Sequence, residues 1–324
     1  MRLLRVIDYP ANAAERDAWI VSRRPERNLV DPSRPYAFLI EDERAPSGEV
    51  VPVATVFLTN RECPWRCLMC DLWRNTLTES ASAGAIPAQI DYALQRLGAA
   101  RQIKLYNSGS FFDPKAISPE DFAPIAKRVA GFERVIVECH PALVGSACIE
   151  FGGRIAGRLE VAMGLETAHP EILQRLNKRM SLEQFERAAH VLRNNRIDLR
   201  VFILVQPPFM REEEAMEWAV RSLEFAFGCG ATAATLIPTR DGNGALEELA
   251  GAGLFSSPKL MTLEAAMASG IAMGKGRVFA DLWDLKKTAS CKTCAEERIT
   301  RLHAMNLQQC VLPGAQCEDC GGLS

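Results

Sequence analysis

The sequence predicts an α/β protein built as a partial (β/α)6 TIM-like barrel with a short cysteine-rich metal-binding appendix at its C-terminal end. Two observations support this fold. Short apolar runs typical of strands alternate with amphipathic stretches of helical spacing, and the alternation yields six β–α units. Beyond about residue 285 the alternation stops and cysteines become frequent. Such an alternation favours a parallel sheet with helices on its outer side.

The six predicted strands are aliphatic runs between turn signals: Ala54–Asn60, Ile103–Ser108, Val135–His140, Leu159–Glu166, Leu199–Gln206 and Ala233–Pro238. The predicted helices between them include Ala88–Leu97, Pro119–Ala130, Leu182–Asn194 and Glu212–Phe227. Ser181 and Gln184 offer a capping box for the third helix. The turn after the first strand carries cysteines, not the glycines of a Rossmann fold, and this favours a barrel.

The same pattern divides the chain into three parts. Residues 1–50 lack periodicity and balance arginines with acids, which predicts an N-terminal covering segment. Residues 51–285 carry the six β–α units and form the core. Residues 286–324 form the cysteine-rich segment, which is expected to be irregular and held together by metal.

Composition places the chain among globular proteins. It has 324 residues, a formal net charge of −2, 48% hydrophobic residues and 24% charged residues. The near-neutral charge gives no overall footprint for nucleic acid or membrane. No apolar run approaches the roughly 18–20 residues that span a bilayer. Charges interrupt the first eight residues, which argues against a signal peptide, so a cytoplasmic location is expected.

Eleven cysteines are the unusual feature of this composition. In a reducing cytosol they are not expected to form disulfides, and clustered thiols there indicate metal or iron–sulfur sites. Three lie close together at residues 63–70 and five at residues 291–320. Of the remaining three, Cys148 and Cys229 are expected to fill core space.

The sharpest motif is Cys63-Pro-Trp-Arg-Cys67-Leu-Met-Cys70, a CxxxCxxC spacing directly after the first predicted strand. Three thiolates can bind three irons of a [4Fe–4S] cluster and leave the fourth iron open for chemistry. The alternatives are a zinc site that lacks its fourth ligand, or buried cysteines without a metal.

This spacing and its position resemble the radical S-adenosylmethionine (SAM) superfamily. The resemblance implies that SAM binds the open iron and is cleaved reductively, which gives a 5′-deoxyadenosyl radical for hydrogen abstraction. The electron would come from an external flavodoxin-like or ferredoxin-like donor. In that superfamily an aromatic residue usually precedes the last cysteine; here Met69 stands there, and its thioether can pack against adenine.

Further segments resemble the Elongator-related branch, and most of all the subgroup containing the radical SAM subunit of archaeosine synthase. These segments are Ser108–Pro114, Glu138–Pro141, Gly164–Thr167, Leu176–Lys178 and Pro207–Phe209. The subgroup implies a tRNA nucleoside as substrate. The chain departs from it in having Cys139-His140 for the usual Ser-Arg and Gln206 for the usual Lys. A small metabolite or a peptide is therefore as plausible a substrate.

The resemblance also implies roles for single residues. The turn Ser108-Gly109-Ser110 would hold the methionyl amine of SAM, Glu166 the ribose and Lys178 the carboxylate, with Gln206 beside the adenine. Ordinary turns, helix caps and a solvated lysine are the structural alternatives.

Glu138, Cys139 and His140 end the predicted third strand. Glu138 has the same two interpretations as Glu166, a SAM contact or a structural acid. His140 is the candidate for proton transfer and Cys139 for hydrogen donation, although a buried cysteine more often fills space.

The C-terminal cysteines form a CxxC…CxxC pair, Cys291 with Cys294 and Cys317 with Cys320, separated by 22 residues. Four thiolates at this spacing suit a tetrahedral zinc site or an auxiliary iron–sulfur cluster. The related Elongator-branch proteins carry a zinc-binding segment near this position, which favours zinc. Cys310 lies between the pairs as an alternative ligand.

The leading hypothesis is thus a radical SAM enzyme acting on a substrate at the barrel mouth. The alternative is a non-enzymatic zinc-binding or nucleic-acid-binding protein in which both cysteine groups hold zinc.

Overall fold

One curved sheet organises the chain. The structure, a computed structural model, describes residues 7–320. The first six residues, whose charges bear on a signal peptide, and the last four residues of the cysteine-rich segment lie outside this range. Within it, eight strands follow one another across the sheet in chain order. They are β1 (Ala37–Arg44), β2 (Val50–Phe57), β3 (Gln102–Tyr106), β4 (Arg134–Glu138), β5 (Arg158–Glu166), β6 (Asp198–Val205), β7 (Ala233–Pro238) and β8 (Arg277–Ala280).

All neighbouring strands from β2 to β8 are parallel, and β1 is antiparallel to β2. The helices among the described residues are α1 (Ala13–Val21), α2 (Ala85–Leu94), α3 (Phe122–Arg128), α4 (Ser146–Arg154), α5 (Pro170–Arg175), α6 (Leu182–Asn194), α7 (Glu212–Gly228), α8 (Ala245–Gly251), α9 (Leu260–Ala272), α10 (Leu285–Thr288) and α11 (Ala295–Gln308). No helix in this range is long and apolar enough to cross a bilayer. The predicted α/β partial barrel is confirmed.

The six predicted strands correspond to β2 through β7, with ends shifted by a few residues. The predicted helix Leu182–Asn194 is α6, and the capping box between Ser181 and Gln184 is present at its start. The predicted helix at residues 119–130 is a 3-10 turn, Pro119–Asp121, followed by α3. Periodicity therefore identified the elements, while their ends depend on caps and neighbouring strands.

The outer strands β1 and β8 were not predicted, because their inward-facing side chains are charged. Glu41 and Glu43 of β1 bind Lys104 of β3, and Arg277 of β8 binds Glu160 of β5. These charges interrupt the apolar alternation by which a strand is recognised in a sequence. β8 is also only four residues long.

Inside the barrel, the N-terminal end of the sheet carries a buried charge layer formed by Glu43, Glu160, Arg134, Arg200 and Arg277. The carboxylate of Glu160 accepts hydrogen bonds from Arg200 at 2.6 Å, Arg134 at 2.9 Å and Arg277 at 3.2 Å. Arg200 also donates to both oxygens of Glu43. Burial acts to raise the pKa of Glu160, but the arginines outweigh it and hold that pKa below its ordinary value.

Above the charge layer the lumen is aromatic. Phe57, Tyr106 and Phe202 project inward from three strands, with ring centroids 6.1 Å apart for the first pair and 6.2 Å apart for the second. All three are only partly buried, so their upper faces border the barrel mouth. The outward-facing residues of the same strands, such as Val56, Leu105 and Ile203, pack in the main apolar core.

The free edge of β8 is covered by α11. Asn306 accepts a hydrogen bond from the amide N–H of Ala280 and donates to its carbonyl, at 2.8 and 2.9 Å. Gln309 does the same for Val278 at 2.7 and 2.9 Å. The two side-chain amides thus replace a neighbouring strand. The expectation that residues beyond 285 are irregular was wrong here, since α11 is a regular helix of 14 residues.

The charge layer predicts a large effect of a neutral substitution at its centre. Glu160→Gln should lower the free energy of unfolding by about 3–5 kcal/mol, because it leaves buried arginines without their counter-charge. Chemical denaturation measures this. The control Glu133→Gln breaks an exposed ion pair with Arg101 and should cost at most about 1 kcal/mol. Equal costs for the two variants would contradict the role given to the layer.

The amide contacts of α11 give a second prediction. Asn306→Ala with Gln309→Ala should remove the hydrogen-exchange protection of the Val278 and Ala280 amides, because nothing else pairs with that edge in the described range. Exchange followed by mass spectrometry of the β8 peptide reports it. Gln308→Ala, on the exposed side of the same helix, should leave that peptide protected.

Candidate functional site

The cysteine loop at residues 58–70 follows β2 at the C-terminal end of the sheet and is held by side chains instead of regular structure. Gln89 of α2 accepts from the Thr59 amide and donates to its carbonyl, both at 2.8 Å. Asn177 donates to the carbonyl of Arg66 at 2.8 Å and Asn243 to that of Leu68 at 2.7 Å. Each backbone turn of the loop is therefore fixed to a different element of the barrel.

The N-terminal residues cross this loop. Glu62, directly before the first cysteine of the loop, forms ion pairs with Arg24, Arg27 and Arg66. Earlier in the N-terminal segment, Asp17 of α1 accepts a hydrogen bond from the side-chain amide of Asn177 at 2.7 Å. The segment thus braces the loop on its outer side, and the predicted boundary at residue 50 stays a prediction.

Cys63, Cys67 and Cys70 lie in this loop as three free thiols that influence one another. Burial raises the pKa of each to about 12, and the neighbouring cysteines add to the effect. Thiols in this state gain most from a cationic partner, because a metal stabilises the thiolate that burial disfavours.

The three sulfur atoms of this loop do not all lie within 4.8 Å of one another. Among residues 7–320, the C-terminal thiols are the only set of three or more ligand groups whose ligand atoms all lie within 4.8 Å of one another. Thiolates that share one zinc ion lie about 4 Å apart. Thiolates on separate irons of a cubane are further apart, because the metal–metal edge is added. A separation beyond 4.8 Å within the set is compatible with a multi-iron cluster.

The predicted turn Ser108-Gly109-Ser110 lies against this loop. A Cβ on Gly109 would come within 3.2 Å of the Cβ of Cys63, so glycine allows the close approach. Glu138, at the end of β4, accepts hydrogen bonds from the amides of residues 107–109, that of Asn107 at 2.9 Å. Burial raises the pKa of Glu138 to about 7 although these amides act against it. Its carboxylate therefore shapes the turn from below.

Glu166 and Lys178 form a buried ion pair beside the cysteines, with Nζ 2.6 Å from Oε1. Burial acts to lower the pKa of Lys178, but Glu166 and the nearby Cys67 raise it above its ordinary value. Gly164 makes room for the pair, because a Cβ there would lie 2.1 Å from Oε1 of Glu166. The structure thus brings a cation to the cysteine loop and gives that cation an internal partner.

Several of these residues have left-handed backbone conformations. Of the nine non-glycine residues with positive φ in the described range, Ser108, Glu166 and Gln206 stand at the ends of β3, β5 and β6, and Asn177 and Arg179 flank Lys178. Each such conformation costs about 1–3 kcal/mol and is concentrated at functional sites in proteins. The conformational strain therefore lies where the sequence predicted SAM to bind.

The remaining predicted contacts lie around the same mouth. Gln206 donates from Nε2 to Ser256 at 2.8 Å, while its buried Oε1 has no partner. Met69 packs beside two small apolar clusters, with Leu68 in one and Leu176 in the other. Tyr36, which no sequence motif indicated, hydrogen-bonds Ser108 through its hydroxyl at 3.0 Å.

The two proposed catalytic residues after β4 are differently placed. Cys139 lies in the main apolar core with Cys148, on the helix side of the sheet, and burial raises its pKa well above the ordinary value. This position gives it no access to the mouth and does not support hydrogen donation. Both ring nitrogens of His140 are engaged, Nε2 with the carbonyl of Lys178 and Nδ1 with the amide of Ala142. Burial lowers the pKa of His140 to about 3, so the ring is neutral.

The C-terminal thiols form a separate site. Cys291 and Cys317 have sulfur atoms 3.8 Å apart, and those of Cys294 and Cys320 are 3.6 Å apart. Arg298 donates to the Cys294 sulfur at 3.1 Å and pairs with Glu264 of α9. The structure thus brings the four predicted ligands together. Cys310 is exposed, contacts Gln308 and lies outside the group.

Sequence reasoning missed the residues that hold the site without touching a thiol. Asn177, Asn243, Glu62 and Tyr36 act through backbone contacts or through partners far away in the chain. Only the position of Asn177 next to Lys178 gave a hint of this role.

Comparison with known proteins gives distant relatives. No protein-family model matches the chain. An uncharacterized protein of Methanocaldococcus jannaschii is 24% identical over 69% of this chain and 65% of its own length. The archaeosine synthase subunit beta of Methanosarcina acetivorans is 27% identical over 56% of each chain. The chain therefore spans less than two thirds of these relatives.

The fold has a similar solved counterpart. Archaeal Elp3 from Methanocaldococcus infernus superposes with a TM-score of 0.51 at 11% sequence identity, covering 68% of this chain and 59% of the other. The likeness shows a shared partial barrel. The likeness to Elp3 is therefore one of fold, and the sequence relatives add a distant similarity to archaeosine synthase subunit beta.

Proposed function

We propose that the chain is a radical SAM enzyme whose cysteine loop holds a [4Fe–4S] cluster through Cys63, Cys67 and Cys70. The observation that carries the proposal is the set of three half-buried free thiols, not all within 4.8 Å of one another, that follows the first parallel strand at its C-terminal end. When bound, such a cluster supplies the electron that cleaves SAM to a 5′-deoxyadenosyl radical.

The residues of the mouth have complementary tasks in this proposal. The turn at residues 108–110, shaped by Glu138, offers backbone and hydroxyl groups to the methionyl amine of SAM. Lys178 supplies a cation for its carboxylate, and Glu166 holds that cation while presenting its second oxygen to the ribose. The free Oε1 of Gln206 is an acceptor for the adenine amine. The thioether of Met69 would pack against the adenine ring.

The partly exposed rings of Phe57, Tyr106 and Phe202 support a substrate with a planar ring, since such rings stack on aromatic side chains. The similarity to archaeosine synthase subunit beta makes a tRNA nucleoside one candidate. A small metabolite or a peptide is the second. A candidate deuterated at the reacting carbon identifies the substrate if deuterium is recovered in 5′-deoxyadenosine.

The enzyme needs an external one-electron donor of the flavodoxin or ferredoxin type. It also needs a reducing compartment, and all eleven cysteines, which lie within the described range, are free thiols. We therefore propose a cytoplasmic location.

The first test is release of 5′-deoxyadenosine. Anaerobically reconstituted protein with dithionite and SAM should release it, and a Cys63→Ala, Cys67→Ala, Cys70→Ala variant should release none, because no thiolate remains to hold iron. Liquid chromatography with mass spectrometry detects the product. Cys229→Ala, at a remote buried cysteine, should retain release. Product from the triple variant would overturn the assignment.

For the C-terminal group we propose one structural zinc ion. A tetrahedral ion with Zn–S distances of about 2.3 Å separates its sulfurs by about 3.8 Å. The 3.6 and 3.8 Å separations match this value, and a cubane cluster would hold its thiolates further apart. Arg298 offsets part of the negative charge of four thiolates.

Metal analysis tests the zinc site. Wild type should contain about one zinc per chain, and Cys294→Ser should lose it and melt at a lower temperature, because structural zinc contributes folding energy. Cys310→Ser should keep the metal. Iron in place of zinc at this site, measured in the triple alanine variant of the cysteine loop, would contradict the assignment.

The alternative function, a non-enzymatic zinc-binding or nucleic-acid-binding protein, makes a different prediction for the same sample. It requires zinc at both groups, no iron and no SAM binding after anaerobic purification. The sulfur atoms of the cysteine loop do not all lie within 4.8 Å of one another, which argues against a shared zinc ion there.

A further inference from the structure

Trp65 connects the cysteine loop to β4 by a ring stack. It lies between Cys63 and Cys67 in the chain, and its indole stacks on the imidazole of His140, with centroids 3.8 Å apart and planes 12° from parallel. This is the shortest centroid separation between rings in the described part of the chain. The contact therefore joins the first arc of the cysteine loop to the neighbouring strand end.

Hydrogen bonds that do not involve Trp65 hold the imidazole of His140 in place. Its Nδ1 accepts from the Ala142 amide at 3.2 Å, so the proton is on Nε2, which donates to the Lys178 carbonyl at 3.0 Å. The His140 amide donates to Ser110 at 2.8 Å. The two ring bonds fix the orientation of the imidazole, and the third fixes the backbone of His140.

These contacts join three parts of the mouth. The ring contacts the cysteine loop at Trp65 and donates from Nε2 to the carbonyl of Lys178, while the backbone amide of His140 donates to Ser110 in the turn at residues 108–110. The residues on either side of Lys178 are left-handed, so the backbone at Lys178 needs an external hold. His140 both donates a hydrogen bond to the Lys178 carbonyl and stacks against Trp65.

The neutral state of the ring has a further effect. The neutral imidazole adds no charge next to the thiols, so Lys178 is the cation that acts on Cys63 and Cys67. The ring therefore positions the loop, while the positive charge that acts on its thiols comes from Lys178.

We propose that His140 is a positioning residue that clamps Trp65, and with it the arc from Cys63 to Cys67, in register with Lys178. This inference rests on the proposed function, since it concerns how the loop retains its cluster. The ring takes no part in proton transfer; it limits the opening of the loop through which iron is lost.

The test measures iron release from anaerobically reconstituted protein to a chelator, together with the midpoint potential of the cluster. Trp65→Leu and His140→Ala should each release iron about fivefold faster, the effect of losing one aromatic contact. The double variant should be no faster than the faster single variant, because both changes break one pair. His140→Phe keeps the ring face but loses the hydrogen bond to the Lys178 carbonyl, so it should release iron faster than wild type and more slowly than His140→Ala.

Two further variants keep the result decisive. His140→Asn retains an acceptor for the Ala142 amide without the ring, and should match Trp65→Leu even if His140→Ala fails to fold. Tyr92→Leu removes an aromatic side chain from α2, away from the cysteines, and should release iron at the wild-type rate. Wild-type release by Trp65→Leu, or His140→Phe as fast as His140→Asn, would overturn the clamp. A wild type that binds no iron would instead refute the proposed function.

Discussion

Buried charge holds the two ends of an open sheet together. Glu43 on β1 and Arg277 on β8 lie at opposite edges, and Glu160 and Arg200 connect them through the lumen. Within the described range β1 and β8 do not pair with each other, so the barrel stays open between them. Side-chain ion pairs connect the two edges instead. The curvature that gathers the C-terminal strand ends around the cysteines depends on that connection.

The two cysteine groups differ in geometry as well as in sequence. The C-terminal thiols are drawn together to the spacing of a single ion and are attached to α9 through Arg298 and Glu264. The thiols of the cysteine loop are held apart, each arc of the loop bound to another element. This difference in the separation of sulfur atoms is the reason for proposing a single metal ion at one group and a larger cluster at the other.

Much of this arrangement could be predicted from the sequence, because the signals are local. Aliphatic runs marked β2 to β7, and cysteine spacing marked both thiol groups. β1 and β8 could not be found in this way, since Glu43 and Arg277 face inward only because charges from distant strands meet them there. The same holds for His140: the sequence indicated a titratable side chain, but its neutral state follows from burial and from two backbone partners. Side chains whose role is set by tertiary contacts carry no local pattern.

The amide pairs of Asn306 and Gln309 have a consequence for the behaviour of the protein in solution. An exposed strand edge recruits strands from other molecules, and closed barrels avoid this by having no edge. Here the edge at β8 is occupied by α11, which begins directly after Cys294, one of the four C-terminal thiols. The helix that covers this edge is therefore joined at its start to the C-terminal thiol group, so the contacts of that group also bear on whether the β8 edge is open to other chains.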